Sequence, residues 1–157
     1  MFFAHWGNMQ KKEKIRLIIC IIYCALMLFA LFVRPATTNA SLSYWEDVAS
    51  HFNPVPFETI IYFHKLLGYN LPFGVYAQVL GNLIGNIVLF VPFGFFLVGI
   101  KDGVRRPFWK VMLFSSVTII VIELLQMFTL CGYCDIDDLF LNEIGVAIGY
   151  LIRKKFP

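Results

Sequence analysis

Seven side chains in this sequence could bind or react, and all of them stand in or beside apolar runs. Asn82 and Asn86 sit one helical turn apart in a charge-free run from Leu66 to Ile100. Glu123 and Gln126, three residues apart, share a face of a second apolar run. Asp138 and Asn142 lie four apart, and Asp135 three before them extends the same stripe. A carboxylate inside a membrane span costs about 2.5–3.5 kcal/mol on insertion scales unless it is protonated, paired or hydrated. No basic residue lies within the apolar runs to pair with Glu123. Its partner is therefore an amide, a bound proton or a ligand. Two carboxylates close together would split their proton affinities, as in acid–base pairs, which makes Glu123, Asp135 and Asp138 the candidate catalytic residues. An oxygen-bound divalent ion on the same three is a further option. Histidine-rich and thiolate ligand patterns are missing, so no metal and no cofactor is assigned. Asn82, Asn86, Glu123, Gln126, Asp138 and Asn142 form the candidate binding set.

Blander roles exist for most of these residues. Asp135 can cap a helix, with Asp138 completing a capping-box-like pair. Asn82, Asn86, Gln126 and Asn142 can act as interhelical hydrogen-bond glue, with Gly81 and Gly85 allowing close approach.

These residues must be held by the elements of a membrane protein. The 157 residues are 59% hydrophobic and 17% aromatic, with a mean hydropathy of +0.74. A soluble domain of this size could not keep so much apolar surface from water. The net charge of +3 is small, and the basic residues cluster at the ends of apolar runs without an aromatic-interleaved patch, which excludes nucleic acid. The expected fold is all-α and polytopic, with four transmembrane helices near 17–34, 76–100, 108–130 and 137–152. Lys11, Lys12, Lys14 and Arg16 before Leu17–Val33 also suit a signal peptide, but the run exceeds the usual core of about 7–15 residues, which favours a retained span. Pro92 is expected to kink the second span. The fourth, at about 1.5 Å per residue, is short at about 24 Å.

The outer loop, 35–75, carries a capping-box pattern at Ser43 and Glu46, then Tyr44, Trp45, Val48 and Phe52 at near-helical spacing. This predicts a short interfacial helix. Asn53-Pro-Val-Pro56 breaks it, and Phe57–Leu67 restarts a helix capped at Gly68. Basic clusters precede the first span, follow the second (Lys101, Arg105, Arg106 and Lys110, beside Asp102) and close the fourth (Arg153, Lys154, Lys155). By the positive-inside rule both termini are cytoplasmic. The candidate residues then share the outer half of the membrane, in one pocket opening outward. Cys131 and Cys134 could form a disulfide there. Glu143, one position off the stripe, pairs with a neighbouring helix or snorkels. The inner halves of the spans read as aromatic and aliphatic, which argues against a proton-coupled transporter.

Three ordered segments resemble the VanZ-like family. They are Gly85-Asn86-Ile-Val-Leu-Phe90-Val-Pro92-Phe93-Gly94-Phe95, Glu123-Leu-Leu-Gln126, and Asp135-Ile-Asp-Asp138-Leu-Phe-Leu-Asn142-Glu-Ile-Gly145. Asn53-Pro-Val-Pro-Phe57 resembles a further element of that family. Two departures stand out: Glu143 where threonine is usual, and no arginine in the Cys131–Cys134 turn. The resemblance implies a single domain over 1–157 in a bacterial cell membrane, of the type associated with teicoplanin (glycopeptide) resistance. The implied partners are membrane lipid and a lipid-linked cell-wall precursor or glycopeptide, met at the cell envelope. Two functions follow: a non-enzymatic binding protein, or an intramembrane enzyme on a lipid-linked substrate with Glu123 as general base.

Overall fold

A computed structural model describes residues 9–33, 35–66, 69, 72–100 and 105–156. Among the described residues six helices follow one another: α1 (Lys11–Phe32), α2 (Tyr44–Ser50), α3 (Glu58–Leu66), α4 (Phe73–Val98), α5 (Phe108–Phe128) and α6 (Ile136–Lys155). Helices α1, α4 and α5 are long and apolar enough to cross a membrane. Their bounds overlap the first three expected spans closely. Gly68, expected as a cap, lies outside the described residues, as do Lys101 and Asp102 of the basic loop.

Helix α6 is longer than its apolar stretch suggests. It continues through Arg153, Lys154 and Lys155, cations that suit the negative end of a helix dipole. Its 20 residues correspond to about 30 Å rather than 24. Helix α1 likewise begins at Lys11, six residues before the apolar run, because Gln10 and Glu13 form a reciprocal capping box. Pro92 leaves α4 helical from Phe73 to Val98.

The bundle is organised around α4 and α6, which share the most extensive contact in the molecule. Glycines allow it. A Cβ built on Gly94 would lie 2.1 Å from the Val146 carbonyl oxygen, one on Gly145 2.2 Å from that of Ile87, and one on Gly149 2.0 Å from that of Val91. The backbones therefore touch, as small residues permit between membrane helices. Gly81 and Gly85, expected to serve this purpose, do not: a Cβ on either meets nothing within 4 Å. Around the α4–α6 contact, Met27, Phe90, Phe93, Ile119, Ile122 and Val146 form the main apolar core. Tyr23 of α1 donates its hydroxyl hydrogen bond to the Leu89 carbonyl of α4.

The loop helices lie at one end of this bundle. The reciprocal Ser43–Glu46 capping box is present at the start of α2. Hydrogen bonds from the Ser43 hydroxyl and backbone hold the exposed Glu46 carboxyl below its usual range. Val48 of α2 packs on Met127 and Leu130, so this helix is docked on the end of α5. Phe52 leaves the helical pattern. It begins a two-residue strand, β1 (Phe52–Asn53), which pairs in parallel with β2 (Cys134–Asp135), a small departure from an all-α fold. Cys131 and Cys134 are free thiols.

Candidate functional site

Helices α1 and α5 end, and α4 and α6 begin, at the same end of the bundle. There the four enclose a cavity of about 250 Å³. Asn82 and Asn86 of α4, Glu123 and Gln126 of α5, and Asp138 and Asn142 of α6 all line it. Gly81 and Gly85 line it too, and their missing side chains leave it open. Tyr133 and Gly132 close one side.

Each polar residue has a distinct geometry. Gln126, buried, donates 2.9 Å to the carbonyl of Leu31. That carbonyl belongs to the last turn of α1, where no intrahelical donor remains, so Gln126 fastens α1 to α5. Asn86 donates its amide to Asp138, joining α4 to α6. Asn142 directs its amide at a Glu123 oxygen over 3.5 Å, the long limit of a hydrogen bond. Glu123 is 5% exposed and Asn142 2% exposed. Two oxygens at this junction, Oε2 of Glu123 and Oδ1 of Asn142, are buried without a hydrogen-bond partner among the described residues. Buried acceptors of this kind are uncommon and call for a donor. The backbone N–H of Asp135 also faces the Glu123 carboxylate, and the charges of Asp138 and Asp135 lie close by.

Asp135 stands apart from this cavity and does structural work. It caps α6, accepting 2.8 Å from the Asp137 backbone N–H. Its other oxygen accepts from the Asn53 amide and the Thr59 hydroxyl, each at 3.2 Å. It borders a smaller adjoining hollow of about 160 Å³ with Thr59, Asn82 and Asp138.

Asp137 is the residue the stripe argument overlooked. It is 1% exposed and accepts backbone hydrogen bonds from Phe57 and Thr59. Phe57 has φ of 65°, in the left-handed region that side chains disfavour. The Asp137 carboxylate and the stacking of Phe57 on Phe140, with centroids 6.2 Å apart, hold it there. The Asn53-Pro-Val-Pro-Phe57 segment and the Asp135–Asp138 segment are thus two halves of one contact. The one sequence signal was the left-over aspartate between two others in Asp135-Ile-Asp-Asp138.

A second polar cluster lies deeper. Glu143 accepts from Ser115 at 2.8 and 3.0 Å and from Ser116 at 2.7 Å. Ser115 is fully buried and eight residues from Glu123, about 12 Å along α5. Glu143 therefore does pair with a neighbouring helix, and the half of the bundle below the cavity is not purely aromatic and aliphatic. On the far side of Glu123, an apolar hollow of about 150 Å³ is lined by Phe52, Pro54, Ile120, Ile136 and Leu139. Glu123 borders both spaces. Cys134, on the same hollow, has its thiol pushed up by burial and by the charges of Glu123 and Asp135.

No group of three or more metal-ligating side chains occurs among the described residues. A family model described as VanZ/LLP1 matches residues 18–156. No curated protein matches the chain, and no solved structure does.

Proposed function

The chain belongs to the VanZ/LLP1 family, and on that footing we propose that it is an envelope protein whose polar cavity receives a membrane-embedded amphiphile. The candidates are a lipid-linked cell-wall precursor or a glycopeptide, and the outcome is resistance of the teicoplanin type. One observation carries this reading: a cavity between four helices lined by Glu123 and Asn142, each of which carries a buried oxygen without a hydrogen-bond partner among the described residues.

The membrane placement rests on an inverted pattern. Phe140, Ile144, Ile148 and Leu151 form an exposed apolar stripe along α6, while Asp137, Asn142 and Arg153 are buried. That is the arrangement of a helix with lipid outside and a polar interior. We therefore take α6 as a fourth span, although its mean hydropathy is lowered by its polar buried face. Among the described residues, Lys65 excepted, all Lys and Arg lie toward the end of the bundle away from the cavity. The positive-inside rule then puts both termini in the cytoplasm and the cavity in the outer half, with α2 and α3 at the outer interface. Reporter fusions at the C-terminus and in the 35–66 loop test this; activity from a periplasm-dependent reporter at the C-terminus refutes it.

A second reading makes Glu123 a general base on a lipid-linked substrate, favoured by its place in the cavity wall with an oxygen that lacks a hydrogen-bond partner among the described residues. Teicoplanin susceptibility of cells carrying wild type, Glu123→Gln or Asp138→Asn at equal membrane levels separates the two. Full loss with Glu123→Gln and retained ligand binding favours chemistry. Graded loss in step with binding favours a receptor. Unaltered protection by both variants removes the cavity from the function.

A further inference from the structure

The cavity has an electrostatic sign that narrows what it can hold. Two carboxylates, Glu123 and Asp138, line it, and no cationic side chain does among its described lining residues. A bare phosphate or carboxylate head would meet like charge there. The two acceptors without partners, Glu123 Oε2 and Asn142 Oδ1, are both more than nine-tenths buried. Asp138, whose Oδ1 already accepts from Asn86, adds a third acceptor-bearing group from the same helix as Asn142. An ammonium group has three donors and no acceptor, which matches that number and sign. A divalent ion matches less well. Calcium takes 6–8 oxygens, which would commit nearly every oxygen of the two carboxylates and four amides lining the cavity, although the amides of Asn86 and Gln126 are already engaged with Asp138 and Leu31; magnesium needs near-ideal octahedral geometry. The apolar hollow bordering Glu123 from its other side offers carbon surface next to the charge.

We propose that the cavity is a receptor for the protonated amine of an amphiphile, held between Glu123, Asn142 and Asp138. This rests on the reading of the cavity as an amphiphile site and names the chemistry of the head it takes.

The test uses the full chain in maltoside micelles with three probes of equal chain length: decylamine, 1-decanol and N-acetyl-decylamine. The readout is the rise in the midpoint of thermal unfolding, followed by tryptophan fluorescence and titrated to an apparent affinity. Decylamine is expected to raise the midpoint, with the alcohol and the acetamide at least tenfold weaker. Replacing a charge-assisted contact with a neutral one should weaken the amine by roughly ten- to a hundredfold. That loss is expected for both Glu123→Gln and Asp138→Asn, so failure of one variant to fold leaves the other as the test. Equal binding of all three probes overturns the amine assignment. If Glu123→Gln still weakens that equal binding, the amphiphile pocket stands and only its head chemistry is wrong. Stabilisation by calcium or magnesium alone, lost in Glu123→Gln, overturns it in favour of a metal. Absence of binding by every probe, with unaltered susceptibility in the variants, removes both the amine and the pocket reading.

Discussion

Substituting alanine at Gly149 and at Gly85 should have opposite effects on stability, although both glycines lie inside long helices. At Gly149 the new Cβ would stand 2.0 Å from the Val91 carbonyl oxygen, where ordinary contact begins at 3.4 Å. The obstacle is backbone, and the nitrogen of Phe95 at 2.7 Å blocks a sideways escape. Helices α4 and α6 would have to separate by about 1.4 Å, loosening the most extensive contact in the bundle. Overpacking of this kind costs about 1–3 kcal/mol, and the rigid neighbour puts Gly149→Ala at the upper end. Alanine returns about 1 kcal/mol through helix propensity, leaving a net loss of roughly 2 kcal/mol. At Gly85 the Cβ meets nothing within 4 Å, so only the propensity gain of about 1 kcal/mol remains. The two variants should differ by roughly 3 kcal/mol in reversible unfolding in mixed micelles. Equal stability of Gly149→Ala and wild type would refute the close-packed α4–α6 contact. A destabilised Gly85→Ala would refute the assignment of Gly85 to an open wall.

Further consequences follow from individual contacts. Asp137→Ala strips the backbone N–H groups of Phe57 and Thr59 of their acceptor and should cost about 2–4 kcal/mol; limited proteolysis should then cut the 35–66 loop faster. Ser115→Ala removes a buried donor from Glu143, a loss of about 1–3 kcal/mol measurable by the same unfolding assay, with Ser116→Ala, on the less buried hydroxyl, milder. The raised thiol of Cys134 holds less thiolate at any pH than an ordinary cysteine. With the other cysteines changed to serine, maleimide labelling of Cys134 should rise only toward alkaline pH. Glu123→Gln removes one of the charges that raise it and should shift that profile toward lower pH; an unmoved profile contradicts the proximity of Glu123 and Cys134.

The sequence made the long helices legible because three of them are apolar around most of their surface, and α1, α4 and α5 announce themselves by hydropathy alone. Helix α6 was harder to delimit. Its buried face carries Asp137, Asn142 and Arg153, so an apolar window ends before the helix does. Spacing placed Asn82, Asn86, Glu123, Gln126, Asp138 and Asn142 on three helical stripes, and the fold sets those stripes around one space. What spacing could not reach was any contact made by the loop. The β1–β2 pair, the clasp of Asp137 on Phe57 and the stacking of His51 on Tyr133 join residues about 80 apart in the chain. None has a local signature. The glycines illustrate the same limit. Gly85 and Gly149 look alike as sequence, yet one borders a void and the other a carbonyl. That difference belongs to the partner helix.

The three aspartates of Asp135-Ile-Asp-Asp138 show how this limit bears on function. Successive helical residues are about 100° apart, so neighbours in a motif point to different tasks. Asp135 caps α6 and holds Asn53 and Thr59. Asp137 clasps the Phe57 turn. Asp138 alone of the three lines the large cavity, with Glu123 and Asn142 beside it. Loss of protection in an Asp135 or Asp137 variant would therefore report a loosened loop, because both hold backbone or capping contacts. Only a variant that keeps wild-type unfolding and still loses ligand speaks about chemistry. Asp138→Asn is the sharper instrument for that purpose, since Asn86 can still donate to an amide oxygen at that position. If Asp138→Asn and Asp137→Asn lowered stability and protection in the same proportion, the separation of these roles would fail.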